Sequence, residues 1–137
     1  MYPPELVQPM KEDLTSVGFN QLTSASEVDE MIENSGDSLL MVVNSVCGCA
    51  AGNMRPGVKI SITNDKVPAT LATVFAGVDS EATQQARKYF LPYPPSSPSI
   101  ALFKDGKLVH FLERHHIEGS TAEMIAENLA GAYNEYC

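Results

Sequence analysis

Two cysteines stand one residue apart in Ser45-Val46-Cys47-Gly48-Cys49-Ala50-Ala51-Gly52, in a chain that holds three cysteines in all. That spacing has three chemical readings: a redox pair, half of a metal site, or local packing. The flanks narrow the choice. "SLLMVVNSV" is apolar, partly β-branched and without alternation, as in a strand buried on both faces. From Ala50 onward the composition favours helix. The pair therefore stands where a strand hands over to a helix, and the first turn of a helix has backbone N–H groups without intrahelical partners. A thiol there ionises more readily, and the thiolate is the reactive form. Cys47, nearer the helix start, is the expected nucleophile, and Cys49 behind it the expected resolving thiol. Gly48 is expected to leave the approach to Cys47 open and to let the backbone close a tight ring. A Cys47–Cys49 disulfide is expected to be strained and easily reduced. A second piece of the site is read from Ser96-Ser97-Pro98-Ser99, directly before a strand. A cis peptide bond is nearly always an X–Pro bond, and a cis Ser97–Pro98 bond is expected beside the Cys47 turn, positioning a bound thiol compound.

The elements that must hold these residues follow from periodicity. Leu6, Met10, Leu14 and Val17 recur at helical spacing, with the start left open between Pro3-Pro4 and Pro9, since a proline inside a helix lacks a donor. Ser24 and Glu27 have the spacing of a capping box. "SLLMVVNSV" and "ATLATVFAGV" read as buried strands around a helix that Pro56 should kink. Asp79 is expected to cap a helix through Ala82, Ala86, Tyr89 and Phe90. "SIALF", Asp105-Gly106 and "KLVHFL" read as a hairpin. Ser120-Thr121-Ala122-Glu123 resembles a second capping box before a last helix. The order α-α-β-α-β-α-β-β-α predicts an α/β domain over 1–137 with a central mixed sheet of about four strands, flanked by helices.

Bulk properties exclude several classes. The chain has 137 residues, enough for one domain with a proper core. Its formal net charge of −8 repels phosphate backbones and anionic lipid, so neither nucleic acid nor a membrane is an expected partner. The acidity gathers near the start, where Glu5, Glu12, Asp13, Glu27, Asp29, Glu30, Glu33 and Asp37 face Lys11 alone before residue 41. No apolar run approaches the roughly 20 residues that a membrane helix needs. "MYPPELVQPMKEDL" lacks the layout of a signal peptide, so a cytoplasmic location is expected. Three cysteines do not make a disulfide scaffold. No glycine-rich phosphate loop is present, and no tightly bound cofactor or metal is expected.

"VVNSVCGCAAG", "PSSPS", "RHHIEG", "VFAGVD", "SPSIALF" and the terminal cysteine together resemble the bacilliredoxins, small thioredoxin-like proteins of bacteria that make bacillithiol. The resemblance runs from "LVQPM" to "NEYC". It implies a thioredoxin-like fold with Cys-Gly-Cys where thioredoxins have Cys-x-x-Cys. It also implies removal of bacillithiol from mixed disulfides on client proteins, with bacillithiol as co-substrate and other small thiols as partners. Cys47 would attack the sulfur of bacillithiol, and Cys49 or free bacillithiol would clear the adduct. Pro98 would match the cis-proline that faces the active site, and Arg55 and Pro56 would be scaffold.

Other residues stay open. Arg114, His115 and His116 would form a positive patch near the site, or one histidine would pack and the other face water, since neighbours in an extended segment point apart. Asn53 reads as local helix polarity. Cys137 is a possible auxiliary thiol. Two alternatives remain beside the leading reading. One is a general protein disulfide reductase or isomerase using Cys47. The other is a soft-metal or interaction module, although zinc normally takes four ligands, and Cys137, His110, His115 and His116 lie in distant stretches.

Overall fold

A computed structural model describes residues 2–137. In chain order the elements are α1 (Pro4–Thr15), β1 (Asn20–Gln21), α2 (Ala25–Asn34), β2 (Ser38–Asn44), a π-helical turn (Ala50–Met54), α3 (Arg55–Ser61), β3 (Thr70–Phe75), α4 (Ser80–Lys88), β4 (Ser99–Lys104), β5 (Lys107–Leu112), α5 (Arg114–Glu118) and α6 (Ala122–Tyr136). The sheet has five strands in the order β1-β3-β2-β4-β5. β1 and β2 run parallel to β3, whereas β4 is antiparallel to both β2 and β5. The fifth strand is β1, whose two polar residues carry no periodic signal.

β2 lies at the centre, and all seven of its residues are buried, as its unbroken apolar run requires. Side chains alternate between the faces of a strand. Leu40 and Val42 thus join Leu14, Met54, Val58, Ile125 and Leu129 under α1, α3 and α6. Leu39, Met41 and Val43 join Val28, Ile32, Ala82 and Ala86 under α2 and α4. The helices α3 and α6 touch closely at Gly57, where an added Cβ would stand 2.9 Å from the Ala122 carbonyl and from Ile125.

Several local expectations hold. Ser24 Oγ accepts from Glu27 N at 3.2 Å while Glu27 Oε1 accepts from Ser24 N at 3.1 Å, a complete capping box. Asp105 and Gly106 both have positive φ, 52° and 78°, as a two-residue hairpin turn of the primed kind demands.

Others are corrected. α1 starts at Pro4 and continues through Pro9; the carbonyl deprived of a donor is that of Glu5, on an exposed face where water reaches it. Its buried residues are Val7 and Leu14, whereas Leu6 is exposed. Asp79 makes no side-chain cap for α4, because its carboxylate is taken by Lys11 at 3.0 Å and by Gln21. The cap of α6 is Thr121, whose Oγ1 accepts from Met124 N; Glu123 then stands one residue too early to close a box. "RHHIE" is the short helix α5 rather than extended chain, so His115 and His116 are both exposed and their ring centroids lie 4.0 Å apart. The irregularity expected at Pro56 takes the form of the π-helical turn before it, where Arg55 N–H reaches back to the Ala50 carbonyl.

Candidate active site

Cys47 follows the end of β2 after Ser45 and Val46, and a helical run begins at Gly48. Its carbonyl accepts from Ala50 N at 3.1 Å and from Ala51 N at 3.2 Å, so the thiol stands at the first turn. The turn is held from beneath by a buried polar network. Asn44, fully buried, donates from Nδ2 to the Met10 carbonyl at 3.1 Å. Its Oδ1 accepts from Ser45 N at 2.9 Å and from Arg55 Nη1 at 3.0 Å. Arg55, 5% exposed, also donates from Nη1 to the Ser45 carbonyl at 2.9 Å and from Nε to Asp13 at 3.2 Å. A buried cation needs such partners, and here they fix the backbone two residues before the thiol. Arg55 is scaffold, as the family resemblance implies. Asn44 and Ser45 are the residues that sequence reasoning missed. The signal was present: a polar pair closing an apolar strand must find hydrogen bonds inside the protein.

Cys47 Sγ lies 2.7 Å from Cys49 Sγ and accepts from Ser45 Oγ at 3.2 Å. Neither cysteine is bonded. Burial works against ionisation of Cys47. It is outweighed by hydrogen bonds from the Cys49 thiol, the Ser45 hydroxyl and Ala50 N–H, and by the charge of Arg114, so its pKa falls below that of an ordinary thiol. Cys49 goes the other way, pushed up to about 11 by burial, by its hydrogen bond to Cys47 and by the charge of a Cys47 thiolate. Of the two thiols Cys47 therefore gives up its proton more readily, and once the pair has lost one proton the other rests on Cys49.

Gly48 is exposed, does not have a positive φ, and an added Cβ there would meet nothing within 4 Å. The backbone demand expected of it is absent in this state of the pair; the open approach to Cys47 is present. The Ser97–Pro98 bond is cis, as expected, and a second cis bond joins Leu91 and Pro92. Ser97 lines one cleft with Cys47, and Pro98, the next residue, is buried. Arg114 clamps this loop, donating from Nη1 to the Ser97 carbonyl at 3.1 Å and from its backbone N to Ser96 Oγ. Asn53 is not a local matter: its Nδ2 donates to the carbonyls of Ile117 and Ser120, tying the π-helical turn to α5.

Cys137 is not brought to the pair. It packs against the core near Lys104, at the end of β4 that neighbours Ser38, whereas Cys47 follows the other end of β2. A strand of six or seven residues separates these ends by on the order of 20 Å. Among the described residues, one cluster has the spacing of potential metal ligands, Glu113, His115 and His116, and the cysteine pair is not part of it. No helix of the described residues is long and apolar enough to cross a membrane.

Comparison with known proteins adds to this geometry. A family model described as disulphide isomerase matches residues 2–137. The chain is 58% identical over 135 residues to a protein named bacilliredoxin from Cytophaga hutchinsonii, covering 98% of this chain and 99% of that one. A bacilliredoxin from Halalkalibacterium halodurans is 49% identical over 136 residues, covering 99% and 94%. Among solved structures, oxidised mitochondrial thioredoxin 3 from Saccharomyces cerevisiae superposes with a TM-score of 0.58 at 19% identity, over 90% of this chain and 98% of that one. The thioredoxin-like domain of Arabidopsis NCP gives a TM-score of 0.62 at 16% identity, over 88% and 79%. At such identities the likeness speaks for the fold.

Proposed function

This chain belongs to the bacilliredoxin family and is a thiol-disulfide oxidoreductase of thioredoxin-like fold, and from that premise we propose that it removes bacillithiol from mixed disulfides on client proteins. The observation that carries the proposal is the unequal pair: a thiolate-favouring Cys47 at an open cleft, with a proton-holding Cys49 directly behind it. In the first step the Cys47 thiolate attacks the bacillithiol sulfur. The mixed disulfide breaks, a Cys47–bacillithiol disulfide forms, and the client sulfur leaves as a thiolate that takes a proton from water. Two influences on Cys49 then lapse. The negative charge of Cys47 is gone, and so is the thiolate that accepted its hydrogen bond. Cys49 therefore ionises more easily, attacks Cys47 Sγ and expels bacillithiol as a thiolate. Free bacillithiol can instead attack the bacillithiol sulfur, giving the disulfide of two bacillithiols and restoring the Cys47 thiolate. In the first route small thiols reduce the Cys47–Cys49 disulfide. Bacillithiol is the co-substrate, no other cofactor enters, and the single domain works in a reducing cytoplasm.

The test is intact mass over time with a bacillithiolated client and no added small thiol. Cys49→Ala is expected to release the client and accumulate a bacillithiol adduct on Cys47. Cys47→Ala is expected to release none. Release by Cys47→Ala at the parent rate would make another thiol the attacking group, and no release by Cys49→Ala would end the single-nucleophile account. A broader disulfide reductase or isomerase would use the same first attack, and the description of the matched family model favours keeping it as the second reading. That reading predicts faster reduction of a protein–protein disulfide than of the bacillithiolated client.

A further inference from the structure

A cleft of about 180 Å³ opens beside Cys47, walled by Tyr2, Ser45, Gly77, Ser97 and Arg114. In a chain with a formal net charge of −8 its lining holds, among the described residues, no carboxylate and one cation, Arg114. The guanidinium is held in place on one side. Nε donates to Glu118 at 2.8 Å and Nη1 to the Ser97 carbonyl at 3.1 Å. Nη2 has no partner among the described residues, and the side chain remains 45% exposed. Tyr2 lies against Gly77, whose Cβ, were there one, would stand 3.1 Å from its ring. A cleft of about 180 Å³ has the size for a small molecule.

We infer that this cleft is the subsite for the small-thiol half of the mixed disulfide, and that Arg114 selects small thiols bearing a carboxylate, which docks on its free Nη2. A fixed guanidinium with an unused N–H is preorganised for a carboxylate oxygen, and a charge-assisted hydrogen bond of this kind is about twice as strong as a neutral one. Glu118 does not line the cleft, although its charge reaches Cys49, so the charged group that a ligand meets in the lining is Arg114. The inference rests on the thiol-transfer reading above and adds the chemical class that the site takes.

The test uses one client peptide carrying a mixed disulfide with either N-acetylcysteine or its methyl ester, beside the bacillithiolated peptide. For each, kcat/KM of release is measured with the parent protein, Arg114→Gln and Arg114→Lys. The parent is expected to favour the acid over the ester by about tenfold, mostly through KM, the scale of one charged hydrogen bond at a partly exposed site. Arg114→Gln is expected to slow both substrates, because Cys47 loses a neighbouring positive charge, and to bring their ratio close to one. Arg114→Lys is expected to keep part of the preference. Dividing the parent's acid-to-ester ratio by that of Arg114→Gln cancels the intrinsic difference between acid and ester. An acid-to-ester ratio unchanged by Arg114→Gln, or near one in the parent, overturns the assignment while leaving thiol transfer intact. Turnover of the bacillithiolated peptide alone overturns the class assignment. Release from none of the three overturns the thiol-transfer reading itself, and this one with it.

Discussion

Ser45 is the residue whose removal best separates a tuned thiolate from a merely exposed one. Its hydroxyl donates to Cys47 Sγ at 3.2 Å and accepts from Cys47 N at 3.4 Å, and the residue is 7% exposed. Ser45→Ala removes the hydroxyl and keeps the backbone, so the carbonyl held by Arg55 stays in place. A hydrogen bond to a charged acceptor contributes about 1.5–3 kcal/mol. Cys47 is only half-buried and water replaces part of the loss, so about 1 kcal/mol is expected here. Ionisation of Cys47 then requires a higher pH. Below its pKa the reaction rate follows the thiolate fraction, and a change of about 1 kcal/mol corresponds to about fivefold. Well above the pKa the effect vanishes or reverses slightly, since a more basic thiolate is intrinsically more nucleophilic. The assay is the rate of Cys47 alkylation by iodoacetamide against pH, with the labelled residue mapped by mass. Equal profiles for Ser45→Ala and the parent would refute the argument. A uniform loss at every pH would point to a displaced Cys47 rather than a less stabilised thiolate.

Three further outcomes are expected. In the parent, limiting iodoacetamide labels Cys47 before Cys49; its labelling rises with pH through a midpoint below that of an ordinary thiol, while Cys49 stays protonated until about pH 11 as long as Cys47 is ionised. Dominant labelling of Cys49 near neutral pH would invert the roles. Arg55→Met should lower stability by about 2–4 kcal/mol in urea denaturation, because it leaves the buried Ser45 carbonyl without its donor and weakens the Asn44 network. The Asp13 contact adds little, since Asp13 is partly exposed and keeps Lys59 at 2.8 Å; a loss below about 1 kcal/mol would show that the network is dispensable. Gly57→Ala should destabilise by about 1–2 kcal/mol despite the better helix propensity of alanine, because α3 and α6 must part; a higher Tm would show that the helices yield without cost.

The architecture was legible where burial writes itself into residue type. β2 is a continuous apolar run because both faces of the central strand are covered. The capping box at Ser24 and the hairpin turn at Asp105-Gly106 depend on neighbours in the chain, so local chemistry decides them. β1 left no trace, since two polar residues are recruited to the sheet by the edge of β3 and not by their own preference. The failed cap at Asp79 has the same origin: its carboxylate met Lys11, some seventy positions away, which no local pattern encodes.

The site divides along the same line. Residue type and order alone determined that two thiols would share a strand–helix junction and that Pro98 would stand before a strand. Both follow from short-range chemistry, as do the roles of nucleophile for Cys47 and resolving thiol for Cys49, and the family resemblance added bacillithiol and the match of Pro98 to the cis-proline. Which thiol ionises more readily depends on distances between residues far apart in sequence or set by the turn. Ser45 Oγ and Ala50 N–H point at Cys47, and Arg114 arrives from α5 across 67 positions of chain. The placement of Cys137 at the far end of the sheet, and of His115 and His116 on a helix rather than an extended segment, also belongs to the tertiary structure. Electrostatic influence and hydrogen bonding depend on separation in space, and a linear sequence records separation only along the chain.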